Sequence, residues 1–505
     1  MTEETKSLRD IRLDKLARLR ERGIDPYPVE STRSHVIRDV TSAFDELEGK
    51  DVAVVGRVTA LRPHGKASFA DVTDASGKMQ LYFKSDLLGD RYELFGLLDL
   101  GDFVGAAGKI FKTRTGEVTV AVEEFDVLAK SVRTPPIVKT EKTDEGEVVH
   151  DEFADPEKRY RKRYLDVMVN PQARACVLTH AELLRTARQY MARQGYAEIE
   201  TPILQPLYGG ANACPFTTYH RDLEMDLYLR IADELYLKWL LVAGLEKVYE
   251  IGKDFRNESI DRTHYPEFTM LEAYEAFGDY RTMMALTQGL IIAAAEEIRG
   301  TLKLTYQRRD VDLEPPWPEV SMVDTLNEKL AATGINDVLG CDEKELEDVL
   351  RRGEFGELWP KVVGRWSRAR AIDVLFDELV VPELWAPTFV VGFPAELSPL
   401  AKRQRDNPAL AERFELYICN MEVANAFSEQ NDPGEQRKAL EAQAEARAAG
   451  DEEAQQVDED FLEALEYGMP PAGGLGIGVD RVAMILADAP NIREVIAFPQ
   501  LRVKK

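Results

Sequence analysis

Cysteine is scarce in this chain and does not cluster. Cys176, Cys214, Cys341 and Cys419 are spread over 505 residues with no CxxC pair. That argues against a zinc ribbon or a dithiol redox motif, and the four read as reduced thiols in a cytosolic protein. Long apolar runs are missing as well. The most apolar stretch, Leu290–Ala295, is flanked by Gln288 and Glu296, far short of the ~20 residues a membrane-spanning helix needs. No membrane partner is expected. The opening residues MTEETKSLRD lack an apolar signal core, so nothing suggests export. Several catalytic signatures are absent too: GxxxxGK[ST], HExxH, GxSxG, and a GxGxxG opening a helix. The run GLGIGVDR contains GxG, but Val479 and Asp480 follow where a dinucleotide loop wants its third glycine. Nucleotide chemistry, if present, must sit on another scaffold.

What is present suits a globular protein of two or more domains, since 505 residues exceed one ordinary core. The formal charge of -26 speaks against nucleic acid only weakly, because binding depends on the local footprint. One basic footprint stands at the N-terminus. Arg9, Arg12, Lys15, Arg18 and Arg22 recur every three or four residues on one side of a predicted helix, with Leu8, Ile11, Leu16 and Leu19 on an apolar side. Such a face either contacts phosphates or is simply solvated.

Residues 51–128 alternate in the manner of strands. Val52–Val58, Ser68–Val72, Lys78–Phe83, Gly101–Phe111 and Glu117–Leu128 give five strands, with a helical stretch near Asp90–Leu98 and a turn at Asp74–Gly77. This pattern predicts a small OB-type β-barrel, a scaffold that often stacks unpaired bases on aromatic rings. Residues 131–157, with Pro135, Pro136 and the charged run Lys139–Glu147, read as a linker or exposed loop. A long helix is expected from about Pro171 to Gln194, ended by Gly195. Beyond it, helices and strands mix without βαβ repeats, which predicts an α+β domain on an antiparallel sheet flanked by helices. Helical segments between Pro315 and about Arg370 look like an insertion, and Asp432–Asp460 reads as helical and exposed. The domains are drawn as 1–150 and 151–505.

Three segments carry chemistry. In the first, Gly195–Leu204, a helix end runs into a short β-type stretch closed by Pro202; alone it is an ordinary connection. The second, Val248–Phe277, reads as strand, loop, strand. The loop holds Phe255-Arg-Asn-Glu-Ser259 and Thr263-His-Tyr-Pro-Glu-Phe-Thr269. Alternation puts Phe268, Met270, Glu272 and Tyr274 on one face. A carboxylate and a phenol on such a face suit a ligand platform better than a core. Phe268 could stack on a base and Arg256 could pair with a phosphate; a structural Arg–Glu pair at a sheet rim is the plain alternative. In the third, Gly474, Gly476 and Gly478 alternate and leave one strand face bare, so a flat ligand can approach the backbone. Arg481 follows near a helix start, where charge and helix dipole both favour phosphate.

These segments resemble motifs 1, 2 and 3 of the class II aminoacyl-tRNA synthetases, and most closely those of bacterial lysyl-tRNA synthetases. The resemblance runs from about residue 50 to the C-terminus. It is supported by Gly65–Phe69, Arg161–Leu165, Tyr228–Ala232, Ser398–Lys402, Ala426–Glu429 and Asn431–Pro433. It implies an N-terminal anticodon-binding OB domain, a catalytic domain on an antiparallel sheet, and a homodimer through motif 1. It implies ATP, lysine and tRNA(Lys) as partners, Mg2+ as cofactor, and cytoplasmic location. By resemblance, Arg256 and Arg481 are the catalytic cations, on the α- and γ-phosphates. Glu258, His264 and Phe268 complete the ATP pocket, with Phe268 on adenine, and Glu415 and Glu422 are Mg2+ carboxylates. Glu234 and Glu429 take the lysine ε-ammonium, Tyr274 helps fix it, and Glu272 takes the α-amino group. Gly210 leaves room, and Asn425 and Phe427 complete the lysine site. In the OB domain Arg62, Phe69, Gln80 and Glu124 match anticodon-reading positions; a barrel-core aromatic is the plain alternative for Phe69.

Strand parity puts Asn425, Phe427 and Glu429 on one face but Glu422 on the other, unless a bulge intervenes. Two positions depart from the family pattern: Cys214 where arginine is general, and Tyr265 where asparagine is common. An aspartate- or asparagine-specific relative would share this architecture but would need a cation where Glu429 stands. A protein-lysylating relative would lack the OB domain, and a non-catalytic RNA-binding protein would not need Arg256, Glu272, Phe268 and Arg481 together.

Overall fold

The computed structural model describes residues 6–136, 138–143, 146–151, 153–363, 366–449 and 454–502. They fall into two compact units, Met1–Asp155 and Pro156–Lys505.

Five strands close a barrel in the first unit: β1 (Asp51–Arg62), β2 (Ala67–Thr73), β3 (Lys78–Lys84), β4 (Phe103–Lys112) and β5 (Val118–Ala129), in the order β1-β2-β3-β5-β4. The predicted five strands are all present. Inward positions are apolar and fully buried, among them Val54, Ala70, Leu81, Phe83, Val120 and Val122. The stretch between β3 and β4 is a 3-10 helix, Gly89–Leu97, whose Leu94, Phe95 and Leu97 are buried. Phe83 packs on Phe95 and Phe125 with ring centroids 5.0 Å away in each case, inside the range of favourable aromatic pairs. The Asp74 carboxylate accepts from the backbone N–H of Ser76 (2.7 Å) and Gly77 (3.0 Å), which fixes the β2–β3 turn.

The N-terminal helix α1 (Leu8–Glu21) is present, but its faces are used differently from the expectation. Arg12 and Leu19 are its buried residues, while Leu8 and Ile11 are exposed. Arg12 donates to the carbonyls of Leu100, Ser131 and Arg133. Lys15 pairs with Asp99 at 2.8 Å and Arg22 with Glu93 at 2.9 Å. Three of the five basic residues thus tie the helix to its own domain. Where an open linker is expected, Val138–Thr143 and Gly146–Asp151 pair as a hairpin; Ile137, Asp144, Glu145 and Glu152 lie outside the described residues.

The second unit is built on an eight-stranded sheet. In chain order the sheet strands and the main helices are α2 (Pro171–Arg193), β6 (Ala197–Glu198), α3 (Glu234–Val242), β7 (Lys247–Phe255), β8 (Glu267–Ala276), α4 (Tyr280–Arg299), β9 (Glu319–Ser321), α5 (Met322–Leu330), α6 (Glu343–Arg351), α7 (Arg368–Leu379), β10 (Thr388–Val391), β11 (Arg413–Ile418), β12 (Met421–Ser428), α8 (Pro433–Ala448), α9 (Glu459–Glu466), β13 (Ala472–Gly478) and α10 (Val479–Leu486). The strands lie in the order β9-β10-β11-β12-β13-β8-β7-β6. Pairing is antiparallel except at the two edges, where β9 runs parallel to β10 and β6 to β7. The expected α+β architecture is therefore realised.

Local signals explain the elements that frame the sheet. Asn170 caps α2 by accepting from Gln172 N–H at 3.0 Å. The chain reverses at Gly195, whose φ of +82° suits glycine, and drops β6 beside β7. Asp279 and Thr282 form a capping box for α4. The helices expected between Pro315 and about Arg370 continue to Leu379, and they leave from β9 and return to its neighbour β10. They carry their own core, including Leu326, Leu346, Ile372 and Phe376. α8 is less exposed than expected: exposed and half-buried residues share its length, and buried Gln436 and Leu440 anchor it; residues 450–453 lie outside the described residues.

The sheet has two unlike faces. Leu271, Ala273, Leu475, Ile477, Ala424, Ala426, Phe414 and Leu416 share one core with α2, α4 and α10. The residues between them point the other way, and that opposite face carries the site.

Candidate active site

Strand register builds the site in rows. Glu415, Asn425, Gly476, Glu272 and Glu250 stand opposite one another across β11, β12, β13, β8 and β7. The next row is Arg413, Phe427, Gly474, Tyr274 and Val248. Cross-strand partners share a face, so charged and aromatic side chains flank a glycine strip. A cavity of about 400 Å³ opens over it, within the range of small-ligand sites.

Twelve of the residues singled out in the sequence line this cavity: Gly210, Glu234, Arg256, Glu258, His264, Phe268, Glu272, Tyr274, Glu422, Asn425, Phe427 and Arg481. Phe268, Met270, Glu272 and Tyr274 share it as parity requires, and so do Gly474, Gly476 and Gly478. Glu422 reaches it because the β11–β12 ladder shifts register between Leu416 and Tyr417. A bulge there restores the side that strict alternation denies. Glu415 and Glu429 do not line the cavity: Glu415 is buried against Arg413, which does, and Glu429 is buried against Lys238, which like it is fully enclosed.

Two cations mark one end. Arg256 lies over the Phe268 ring, 5.0 Å from its centroid, and its Nε donates to Ile231 O at 3.3 Å. Arg481 donates to the backbone oxygen of Glu422 at 2.6 Å and to Thr263 O at 3.3 Å. Its neighbour Asp480 is structural, accepting from Thr269 N–H (2.7 Å) and meeting His180 Nε2 (2.8 Å). His264 pairs with Asp261 at 2.8 Å. The phenol of Tyr265 accepts from Gln500 N–H, so the tyrosine fastens the loop to the C-terminal stretch. The backbone oxygen of Cys214 accepts from Asn257 N–H at 2.8 Å.

Carboxylates dominate the other end. Glu234 and Glu429 both pair with the ammonium of Lys238, which is fully buried. Glu272 accepts from the Tyr274 hydroxyl at 3.1 Å. Burial, then the nearby Asp254 and Glu234, raises the Glu272 pKa well above the carboxylate range. Burial lifts Glu429 to about 8, against the opposing pull of Lys238. Beneath them Arg230 meets Glu250 at 2.7 Å, Asp233 at 2.9 Å and Asp254 at 3.2 Å, all deeply buried. Burial is also the chief cause that lifts Asp233 to about 11 and Asp254 to about 6. Negative charge here exceeds the resident positive charge, and the excess is what an incoming cation would relieve.

Lys238, Arg413 and the Arg230 cluster are missing from the sequence reading. Lys238 had a signal: it stands four residues after Glu234, a spacing that pairs opposite charges on a helix. Arg413 spans Asn425 Oδ1 (3.0 Å), Ser398 Oγ (3.0 Å) and the Glu415 carboxylate. Glu415 also accepts from the Tyr417 hydroxyl at 2.7 Å. Among the described residues no group of three or more His, Cys, Asp or Glu is placed to hold a metal. Glu422 with Glu415 behind it supplies oxygen donors of the type Mg2+ prefers, and leaves most of an octahedron to water and phosphate. That set fits an ion arriving with a triphosphate.

On the barrel, Arg62, Phe69, Gln80 and Glu124 all stand outside the apolar core. Arg62 pairs with Asp71 at 2.5 Å. Gln80 accepts from Thr119 Oγ1 at 3.0 Å. Glu124 is exposed. Phe69 is half-buried and tilted against Tyr82 at 5.0 Å. Tyr82 meets Phe111 at 6.0 Å, so the outer surface carries three aromatic rings, of which the sequence reading named one.

Comparison with known proteins agrees with this geometry. A family model described as tRNA synthetases class II (D, K and N) matches residues 155–502, and one described as OB-fold nucleic acid binding domain matches residues 52–128. A lysine–tRNA ligase from Carboxydothermus hydrogenoformans is 47% identical, over 99% of each chain. One from Moorella thermoacetica is 46% identical over 100% of this chain and 99% of its own. One from Bacillus subtilis is 43% identical over 99% of this chain and 98% of its own. With an OB barrel, a sheet whose bare glycine strand β13 lies between β8 of motif 2 and β12, and identity sustained over both domains, the chain belongs to the class II tRNA synthetases, in the group of the lysine–tRNA ligases.

Proposed function

We propose that this chain activates lysine with ATP to lysyl-adenylate and transfers the lysyl group to the 3′ end of tRNA(Lys), both within the pocket described. The observation that carries the choice of lysine is charge. Glu234, Glu272 and Glu429 set three carboxylates against the single ammonium of Lys238. Burial raises Glu272 and Glu429, and two arriving ammonium groups would draw both back to the ionised form; the three carboxylates and Lys238 then carry two net negative charges, which suit the two ammonium groups of free lysine. Its carboxylate is then directed toward Arg256.

In this reading Glu272 takes the α-amino group. Glu429 and Glu234 take the ε-ammonium, with Tyr274, Phe427 and Asn425 along the stem. Gly210 leaves space that a β-carbon would restrict, since it would stand 3.0 Å from the β-carbons of Ala232 and Glu234. Adenine stacks on Phe268, and Glu258 and His264 wall the nucleotide. Mg2+ would be held by Glu422 with Glu415, and when bound it neutralises phosphate charge. No protein acid or base is required. The lysine carboxylate attacks the α-phosphate in line, and pyrophosphate leaves. Arg256 and Arg481 stabilise the charge that spreads over the phosphate oxygens. The tRNA 3′-terminal ribose 3′-hydroxyl then attacks the mixed anhydride, a step governed by positioning. The outer aromatic surface of the barrel takes anticodon bases. Motif 1 forms a homodimer contact, a role supported by exposed Ile203 and Leu204.

The competing reading, an aspartate enzyme on the same scaffold, draws on Lys238 as a cation at the closed end. Lys238 is fully buried and already bridged by two carboxylates, so an acidic substrate finds no free charge there. ATP–pyrophosphate exchange with each of the twenty amino acids tests the choice. Lysine is expected to stimulate exchange; exchange driven by aspartate and not by lysine overturns the reading.

A further inference from the structure

The mechanism above leaves Lys238 without a task. Burying an ammonium is unfavourable unless it is paired, and an apolar side chain would fill this place beside Leu237 and Leu241, which are themselves buried. Yet its Nζ joins Glu234, one turn earlier on α3, to Glu429, which follows β12. Rings enclose it: Phe427 at 5.4 Å, Phe461 of α9 at 5.9 Å and Tyr274 of β8 at 6.0 Å. The charged and titratable groups facing it are Glu234 on its own helix, Glu429 from the end of β12, and Tyr274 from β8, with Glu272 next to Tyr274.

We propose that Lys238 is a positioning residue that determines amino-acid specificity: its ammonium cancels one of the two carboxylate charges at the closed end and fixes Glu429 beneath Gly474, so that the pair offers one net negative charge to one primary ammonium. This rests on the reading of the chain as lysine-activating. Two neighbouring buried carboxylates cannot both ionise without a counter-charge. Burial already raises Glu429 against the pull of Lys238; with Lys238 absent that pull is lost, one carboxyl would hold its proton to higher pH, and the charge offered to substrate would be missing over more of the working range. Lys238 itself stays protonated, because the pull of Glu234 and Glu429 outweighs the effect of burial and raises its pKa. The residue touches the carboxylates and acts through them.

The test is exchange kinetics in lysine between pH 6.5 and 9 for the full-length parent, Lys238→Met, and the double variant Glu234→Gln with Lys238→Met. The single variant is expected to raise the lysine KM about tenfold or more at pH 7, with the ATP KM unchanged. The pH at which the lysine KM reaches its plateau should move up by about one unit or more. The double variant restores one net charge, so its lysine KM should fall back at least about threefold from the single variant, with the parent's pH dependence. A merely structural lysine would raise KM equally at every pH and gain nothing from Glu234→Gln; either of those results, or an unchanged lysine KM, overturns the proposal. If Lys238→Met does not fold, the double variant is read against the parent: lysine-stimulated exchange with the parent's pH profile supports the proposal, and loss of that exchange overturns it. Failure of the lysine reading would look different, since the parent itself would then give no lysine-stimulated exchange.

Discussion

Gly474 leaves open the space that the Glu429 carboxylate fills: a β-carbon at position 474 would overlap Glu429 Oε1 and stand 2.6 Å from Tyr274 Cε1. The glycine of motif 3 thus serves the acidic end of the pocket as well as its flat floor. Gly474→Ala is expected to displace the carboxylate and the tyrosine ring together. A displacement of this order costs about a hundredfold when the group orients substrate, so kcat/KM for lysine should fall by about that factor. The ATP KM should be unchanged, because the proposed nucleotide site lies toward Arg481. Exchange kinetics check both values. Retention of kcat/KM for lysine within about threefold would remove Glu429 from the substrate site.

Arg256 sits where positive charge meets the aromatic platform, 5.0 Å above Phe268. It is bonded to a single backbone carbonyl at 3.3 Å, which leaves most of its donors for phosphate. Arg256→Ala is expected to lower pyrophosphate exchange by about 10²–10³-fold, the loss typical of removing a preorganised charge at a transition state. Binding of tRNA, measured by filter retention, should stay within about threefold. Undiminished exchange would refute the role.

Beneath the pocket, Asp233 and Asp254 compete for one guanidinium, at 2.9 and 3.2 Å from Arg230 Nε. Burial chiefly, with Asp254 and Glu272 adding to it, lifts Asp233 from 3.8 to about 11. A carboxyl whose folded pKa is raised contributes stability that is complete below the unfolded value and is lost as pH rises through the folded value. The window is therefore about pH 4 to 11, and the slope is at most about 1.4 kcal/mol per pH unit for one group. Asp233→Asn removes that proton linkage. Its melting temperature should match the parent near pH 4 and exceed it increasingly from pH 6 to 9. Parallel melting curves for the two proteins across this range would show that Asp233 is ionised in the fold.

This cluster also shows where sequence reading stops. Alternation along β8 and β13 was legible because a strand has a strict period of two, so Phe268, Glu272, Tyr274 and the three glycines could be assigned to one face. The barrel was legible for the same reason. Parity failed at Glu422, because a bulge adds one residue locally and leaves no compositional trace. Arg230, Asp233 and Asp254 were not legible as a cluster: Arg230 and Asp233 stand three residues apart just before α3, but Asp254 lies on β7, and only the fold brings it to 3.2 Å from Arg230. The N-terminal helix misled in another way. Its basic stripe is real, but Arg12 caps three backbone carbonyls of its own domain, and periodicity cannot tell an anchor from a free face.

Phe69, Tyr82 and Phe111 lie in sequence on the outer surface of the barrel, with centroid separations of 5.0 and 6.0 Å. Phe69 stands opposite Arg62 on the neighbouring strand, so a base stacked on the ring would meet a guanidinium alongside it. Stacking of one base on an aromatic side chain contributes about 1–3 kcal/mol. Phe69→Ala is therefore expected to weaken tRNA(Lys) binding by roughly 5- to 150-fold, seen as a raised tRNA KM in aminoacylation. Pyrophosphate exchange, which needs no tRNA, should be unaffected, because Phe69 belongs to the first unit and the exchange site to the second. A variant that lost exchange as well would point to a folding defect, which its melting curve would reveal. One that kept the parent's tRNA KM would move the anticodon contact to another face of the barrel.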